Sequence, residues 1–462
     1  MDFRTFLSAY EESFPGQVVH VDREVDSRYE AAAIGIKAQK ELREAPMFIF
    51  HKIRRVDGTL SPWPVVVNVF ASRHRSAFAA NSTFARLGRE MHERRANRIK
   101  PVVVERSEAP VKEVVTVGDA VDARQIPALV HMAWDPGPYI PAGFLVTYDP
   151  DTGIDNCALQ RGWIADAREI RVFPNTTSHN ARNIRKSEER GEDARVAFWI
   201  GHHPAVYLGA GVKQGYPDSH WESCGGMIGQ PLRLVPSETL GDDFLVPADA
   251  EFVIEGIIPR GKRKPEGPFG EYTHYYGGQR LNPYMEVTCV SHRRDPFWFS
   301  ILCGSIDDGI GGLRREGAVY SVLSRVVPQV QDIYRPDSSP NHMYVRMRKT
   351  HVAQPRTAIL TVLAAAGGSV KHVFVFDEDV DIFDEQEVLW AIGSRSDWSR
   401  DMIVVPNLPT TTLDPTATGL GMGTSGGIDC TKPSAPALYE QRSFVPSEVM
   451  DRIQLKDYIP SA

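Results

Sequence analysis

The chain of 462 residues has few cysteines and pairs none of them. Cys157, Cys224, Cys289, Cys303 and Cys430 are scattered without a CxxC motif. This odd, sparse set excludes a disulfide framework and reads as free thiols in a reducing compartment. No apolar run approaches bilayer-spanning length, so no membrane partner is expected. Met1-Asp2-Phe3-Arg4 is not followed by the apolar core of a secretory leader, and a cytoplasmic location is expected. Excess positive charge is absent too. A formal net charge of −7 gives no global signal for nucleic acid or an anionic membrane. There is no GxSxG elbow, Walker loop or HExxH pair. No internal repeat or low-complexity segment stands out.

What is present is ordinary globular material, with 42% hydrophobic and 24% charged residues. The length predicts two or three domains. Residues 1–99 alternate helical and strand patterns. Helices are expected over 2–12, 27–44 and 83–96, and strands over 18–21, 47–50 and 65–70. Residues 100–313 hold many short strand-like runs broken by Pro, Gly and Asp, which predicts a barrel or sandwich-like β domain. One helix is expected there, over 177–191, capped by Thr177 or Ser178. Residues 314–462 return to α/β alternation, with helices over 318–330, 357–366 and 385–392 and strands over 343–347 and 372–376. A Pro-rich tail after residue 433 reads as an extended arm. The fold class is therefore α+β/α/β multi-domain.

The most informative stretch is Glu266-Gly267-Pro268-Phe269-Gly270-Glu271. Pro268 and two glycines exclude regular helix, so the chain turns and presents two carboxylates near one place. Paired acids beside Tyr272, His274, Tyr275 and Tyr276 suit proton transfer. The same spacing also fits a surface turn with two solvated glutamates. Asn156-Cys157-Ala158-Leu159-Gln160-Arg161, then His179, His220 and Glu222, supply oxygen and nitrogen donors that suit Mn²⁺ or Mg²⁺ carrying a phosphate. Taken singly, each is also an ordinary loop or surface residue. Gly421 to Gly426 fits GxGxxG, and Gly304 to Gly312 is glycine-rich; without a preceding strand, both read as loops. His202-His203 reads as strand-end structure.

Several of these stretches together resemble the UbiD-like decarboxylases that use prenylated FMN. Asp135-Pro136-Gly137-Pro138-Tyr139-Ile140 is similar to that family's Gly-Pro-Tyr-Ile segment. Asn156–Arg161, Glu266–Glu271 and the acidic run Phe376 to Asp384, followed by Leu389-Trp390-Ala391, match it in order along nearly the whole chain. The resemblance implies a central split β-barrel that binds the flavin, and a homodimer or larger homo-oligomer. It implies that Asn156 to Arg161, Ser178 and His179 line the cofactor. Asn156 and His179 would hold a divalent metal, Mn²⁺ or Mg²⁺, on its phosphate, and K⁺ would sit near Gly209, Ala210 and Val212. Arg161 would pair with Glu266, and Glu271 would donate the proton. A flavin prenyltransferase would supply the cofactor.

Two positions depart from that pattern. The family's third metal ligand, a Glu, falls at His220, with Glu222 two residues on. Glu222 is preferred because Mn²⁺ favours a carboxylate, with His220 as the alternative. A Lys thought to touch the phosphate is replaced by Ser425. The implied activity is reversible, non-oxidative decarboxylation, releasing CO₂ from an aromatic, heteroaromatic or α,β-unsaturated acid. The rival reading is a non-catalytic flavin-binding or assembly subunit.

Overall fold

A computed structural model describes residues 1–175, 178–211, 215–418, 421–433 and 442–459. Near the N-terminus, Asp2 caps the helix Phe3–Ser13 by accepting the Thr5 N–H at 2.9 Å. Phe3, Phe6, Leu7 and Tyr10 recur at helical spacing and are all buried. Full burial of each such side chain stabilises by about 1.5–3 kcal/mol. They pack against rings far along the chain: Phe3 lies 4.5 Å from Phe299, edge to face. The N-terminal sheet runs Val18–Asp26, Met47–Arg54, Val65–Val67, then Trp298–Phe299. The last strand comes from the middle of the chain and pairs in parallel with Val65 and Val66. Residues 3 to 313 consequently share one continuous hydrophobic core.

The central region is a curled, half-barrel sheet, antiparallel throughout. Its order is Tyr139–Ile140, Gly162–Asp166, Glu169–Val172, Tyr284–His292, Phe252–Ile258, Ala194–Ile200, Phe144–Tyr148, Asp155–Leu159. Val114–Val117 pairs alongside Tyr284–His292. Asp155–Leu159 is thus an edge strand, joined to Phe144–Tyr148 by the expected Asp-Pro-Asp-Thr-Gly turn. The expected helix appears as His179–Glu189, with Ser178 Oγ accepting the Ala181 N–H at 3.2 Å. The alternative cap, Thr177, lies outside the described residues.

Two more helices, Pro204–Ala210 and His220–Ile228, correct the expectation of a single one. Their glycines hide them from a propensity reading, yet those glycines permit close packing. A Cβ on Gly226 would lie 2.4 Å from Asn97 O and 2.6 Å from Arg94 O. Both are backbone atoms and cannot rotate away. Gly226→Ala is expected to cost about 1–3 kcal/mol of stability, measurable as a lowered denaturant midpoint. His202 and His203 are strand-end structure as expected, and His203 Nδ1 accepts the Ala205 N–H at 3.2 Å to start the first of these helices.

Beyond it, a five-stranded sheet runs Val330–Tyr334, His342–Met347, His372–Asp377, Met422–Cys430, Met402–Pro409. The helices Ile310–Val326, Gln354–Ala366 and Glu385–Arg395 accompany it. Neither glycine-rich stretch is the expected loop. Residues 422–430 form an inner strand, and 304–312 lead through a short 3-10 turn into a helix. Of the predicted tail, 434–441 and 460–462 lie outside the described residues. Within 442–459, Arg442 pairs with Glu387 at 2.6 Å and covers the Trp390 ring at 4.0 Å.

Candidate active site

The Glu266–Glu271 stretch is a folded hairpin. Lys264–Glu266 pairs with Arg280–Asn282, and Phe269–Gly270 pairs with Tyr276–Gly277. Gly267 sits at φ +87°, a conformation side-chain-bearing residues rarely adopt, and so lets the chain reverse between the two short ladders. The turn brings both acids to one guanidinium, from a segment more than 100 residues away. Arg161 lies between the strands Asp155–Leu159 and Gly162–Asp166.

Arg161 Nε donates to Glu266 Oε1 at 2.9 Å and Nη2 donates to Oε2 at 2.8 Å, a bidentate pair. Arg161 Nη1 donates to Glu271 Oε1. The rings of Phe173 and Phe269 lie 4.3 and 5.1 Å from the guanidinium carbon.

The two glutamates have different surroundings. Glu266 is fully buried, and its carboxylate also accepts from Tyr139 Oη and Asn282 Nδ2, each at 3.2 Å. Four donors converge on its carboxylate, two of them from Arg161. Burial, reinforced by the Glu266 charge, pushes the Tyr139 hydroxyl well above its ordinary pKa and keeps it a donor. Glu271 is partly exposed and, among the described residues, its carboxylate has only the Arg161 contact. It lines a cavity of about 430 Å³ with Met132, Gly270, His274, Tyr275 and Tyr276. That volume is in the range of small-ligand sites. Tyr272 instead faces Arg315, 5.0 Å away.

Asp135 fixes the acid's backbone. Its Oδ2 accepts the N–H of His131 and Met132 at 3.2 and 2.9 Å, and its Oδ1 accepts the Gly270 N–H at 3.3 Å. Gly270 immediately precedes Glu271. Burial pushes the Asp135 carboxyl up, while these three N–H groups and Arg161 pull it down. The neighbouring His131 is buried, with Nε2 2.9 Å from Ser300 Oγ, and burial lowers its pKa from 6.5 to about 4. The native ring is neutral. As pH falls from 6.5 toward 4, the unfolded chain takes up a proton that the folded chain does not. His131 thus contributes stability above pH 6.5 that is lost on acidification, about 3 kcal/mol by pH 4. A series of melting temperatures from pH 7.5 to 4 should show this fall, flattened in His131→Asn.

The other sequence-singled residues gather at the edge strand. Asn156 Nδ2 donates to Asn180 Oδ1, which also accepts from Thr147 Oγ1 at 2.9 Å, while Asn180 Nδ2 donates to Leu145 O at 3.1 Å. That chain orients the amide, with Nδ2 turned to Asn180. His179 begins one helix and His220 begins another. Asp155 docks the second: it accepts Ser219 Oγ at 2.5 Å, the His220 N–H at 2.7 Å and the Trp221 N–H at 3.3 Å. Burial raises the Asp155 carboxyl to about 6.

The two helix N-termini beside one strand favour a phosphate. Cys157 points into the core, where Trp199 Nε1 donates to its Sγ at 3.2 Å, so only its backbone faces the site. Gln160 is tied to Phe173 O. Among the described residues no three His, Cys, Asp or Glu side chains form a metal-binding group. Gly209 and Ala210 end a buried helix, and Val212 lies outside the described residues. Asn180, Asn282 and the Asp135–Gly270 clamp were not singled out in the sequence, where no local signal marks such long-range contacts.

Three family models match the chain in order. They are the 3-octaprenyl-4-hydroxybenzoate carboxy-lyase N-terminal domain over residues 13–95, its Rift-related domain over 102–306 and its C-terminal domain over 309–430. The chain belongs to the UbiD family. It is a carboxy-lyase of that family. An anhydromevalonate phosphate decarboxylase of Methanothermobacter thermautotrophicus is 31% identical, covering 91% of this chain and 96% of that protein. A phenolic acid decarboxylase of a Streptomyces species is 29% identical, covering 94% and 93%. Among solved structures, the UbiD-class enzyme HmfF from Pelotomaculum thermopropionicum in complex with FMN superposes with a TM-score of 0.91 at 31% identity. That match covers 99% of this chain and 100% of HmfF.

Proposed function

We propose that this UbiD-family chain catalyses reversible, non-oxidative decarboxylation of an aromatic, heteroaromatic or α,β-unsaturated carboxylic acid with prenylated FMN. The carrying observation is that Arg161 joins Glu266 and Glu271 beside the cavity. The flavin complexes of HmfF, one with FMN and one with prenylated FMN, support the cofactor. Gly277 leaves the pair uncrowded, since a Cβ there would sit 3.2 Å from Glu271 Oε1 and 3.4 Å from Arg161 Nη1. Prenylated FMN, when bound, supplies the electron sink as CO₂ leaves.

The chain's own residues orient and protonate. Glu266 neutralises Arg161 and fixes its plane, leaving Nη1 as the group that turns to the substrate carboxylate. Glu271 and that carboxylate compete for Nη1. When the substrate takes it, Glu271 loses its counter-charge and gains a negative neighbour, and both changes favour the protonated acid. Glu271 then holds a proton at the cavity wall for delivery to the carbon that loses CO₂. Asn156 and His179, with a third ligand from the start of the helix His220–Ile228, would hold the metal on the cofactor phosphate.

His274, Tyr275 and Tyr276 favour a flat, ring-bearing acid. A homo-oligomer supplied by a flavin prenyltransferase completes the reading, and the evolved dimeric form of HmfF supports the oligomer. The test is CO₂ release by protein reconstituted with prenylated FMN, across ring acids and cinnamic-type acids. Turnover of ring acids is expected. A fully loaded protein that releases CO₂ from neither class would leave only the flavin-binding subunit.

A further inference from the structure

We propose that the third metal ligand in this chain is the His220 imidazole and that Glu222 takes no part. The inference rests on the flavin-phosphate reading above and deepens it. The argument comes from the two faces of the helix His220–Ile228.

Positions 222, 225 and 226 share one face. That face lies on residues 94–99. A Cβ on Gly225 would sit 2.5 Å from Ile99 O, and one on Gly226 would sit 2.4 Å from Asn97 O. Glu222 O accepts the Ile99 N–H at 3.2 Å, and the Glu222 charge acts on Arg98. Glu222 therefore lies on the side of Arg98, whose ion-pair partner is Asp218.

Positions 220, 224 and 227 share the other face. Met227 and Cys224 press on Gly209, and the helix packs on the edge strand Asp155–Leu159. His220 is buried at 4% exposure, with its N–H held by Asp155, the residue next to Asn156. The segment leading into it passes the other donor, for the Tyr216 ring lies 6.3 Å from the His179 ring.

Exchanging a carboxylate for an imidazole changes the chemistry of the site. Asn156, His179 and His220 are all neutral donors, so the phosphate alone would balance the cation. Two imidazoles also move preference away from Mg²⁺ and Mn²⁺, toward Co²⁺, Ni²⁺ and Zn²⁺.

The test uses full-length protein stripped with chelator and loaded with FMN. Mn²⁺ binding is followed by its paramagnetic resonance signal, and Co²⁺ and Zn²⁺ by competition. His220→Gln should weaken Co²⁺ binding by at least about tenfold, and Glu222→Gln should leave it within about twofold. His220→Glu controls for misfolding. It should retain metal and shift selectivity toward Mn²⁺ over Zn²⁺ by about tenfold or more. Loss of metal in Glu222→Gln with retention in His220→Gln overturns the proposal, as does absence of metal binding in every form. Neither result touches the decarboxylase reading, which stands or falls on CO₂ release.

Discussion

Glu271→Gln is expected to lower CO₂ release by about 10²–10⁴-fold while the flavin stays bound. The amide keeps the shape of the acid and can still accept from Arg161 Nη1, so the cavity wall is preserved. It cannot deliver a carboxylic proton. Glu266, which holds the guanidinium through Nε and Nη2, is untouched, so substrate orientation should survive. The loss should therefore appear in kcat with KM little changed, as for a group acting only in the chemical step. Flavin absorbance of the purified variant checks that the cofactor is in place. A variant retaining wild-type turnover would move the proton donor elsewhere.

Glu266→Ala is expected to act on stability as well as rate. The substitution strips four hydrogen bonds at once, from Arg161 Nε and Nη2, Tyr139 Oη and Asn282 Nδ2. Arg161 is itself 8% exposed and would be left with Glu271 as its counter-ion. Breaking a buried ion pair from one side costs about 3–5 kcal/mol, because the remaining charge stays desolvated. The melting temperature should fall by several degrees. Activity should fall further than stability explains, because Glu271 would then be held on Arg161 as the ionised partner. A loss below about 1 kcal/mol would mean that water reaches Arg161 and the pair is not sealed.

Much of this site was legible because its chemistry is local. Pro268 and its flanking glycines announce a turn between two acids, and Ser178 announces a helix start. What escaped was non-local. Nothing near Asp135 says that its carboxylate will hold Gly270, and nothing near Tyr139 says that its hydroxyl will reach Glu266. Trp298 and Phe299 join the N-terminal sheet across more than 200 residues of chain.

Glycine misled in a consistent way. Residues 422–430 read as a loop because glycine weakens strand propensity, yet close approach requires it here. A Cβ on Gly426 would lie 2.2 Å from Ile403 O, and one on Gly427 2.5 Å from Val373 O. The helix carrying Gly225 and Gly226 was missed for the same reason.

The most direct measurement follows deuterium. Holoenzyme incubated in D₂O with a decarboxylation product should place deuterium on the carbon that lost CO₂, and the Glu271→Gln holoenzyme should place none above background. Exchange at the wild-type rate in that variant would contradict the assignment of the proton to Glu271, and with it the joint role of Arg161 and its two glutamates.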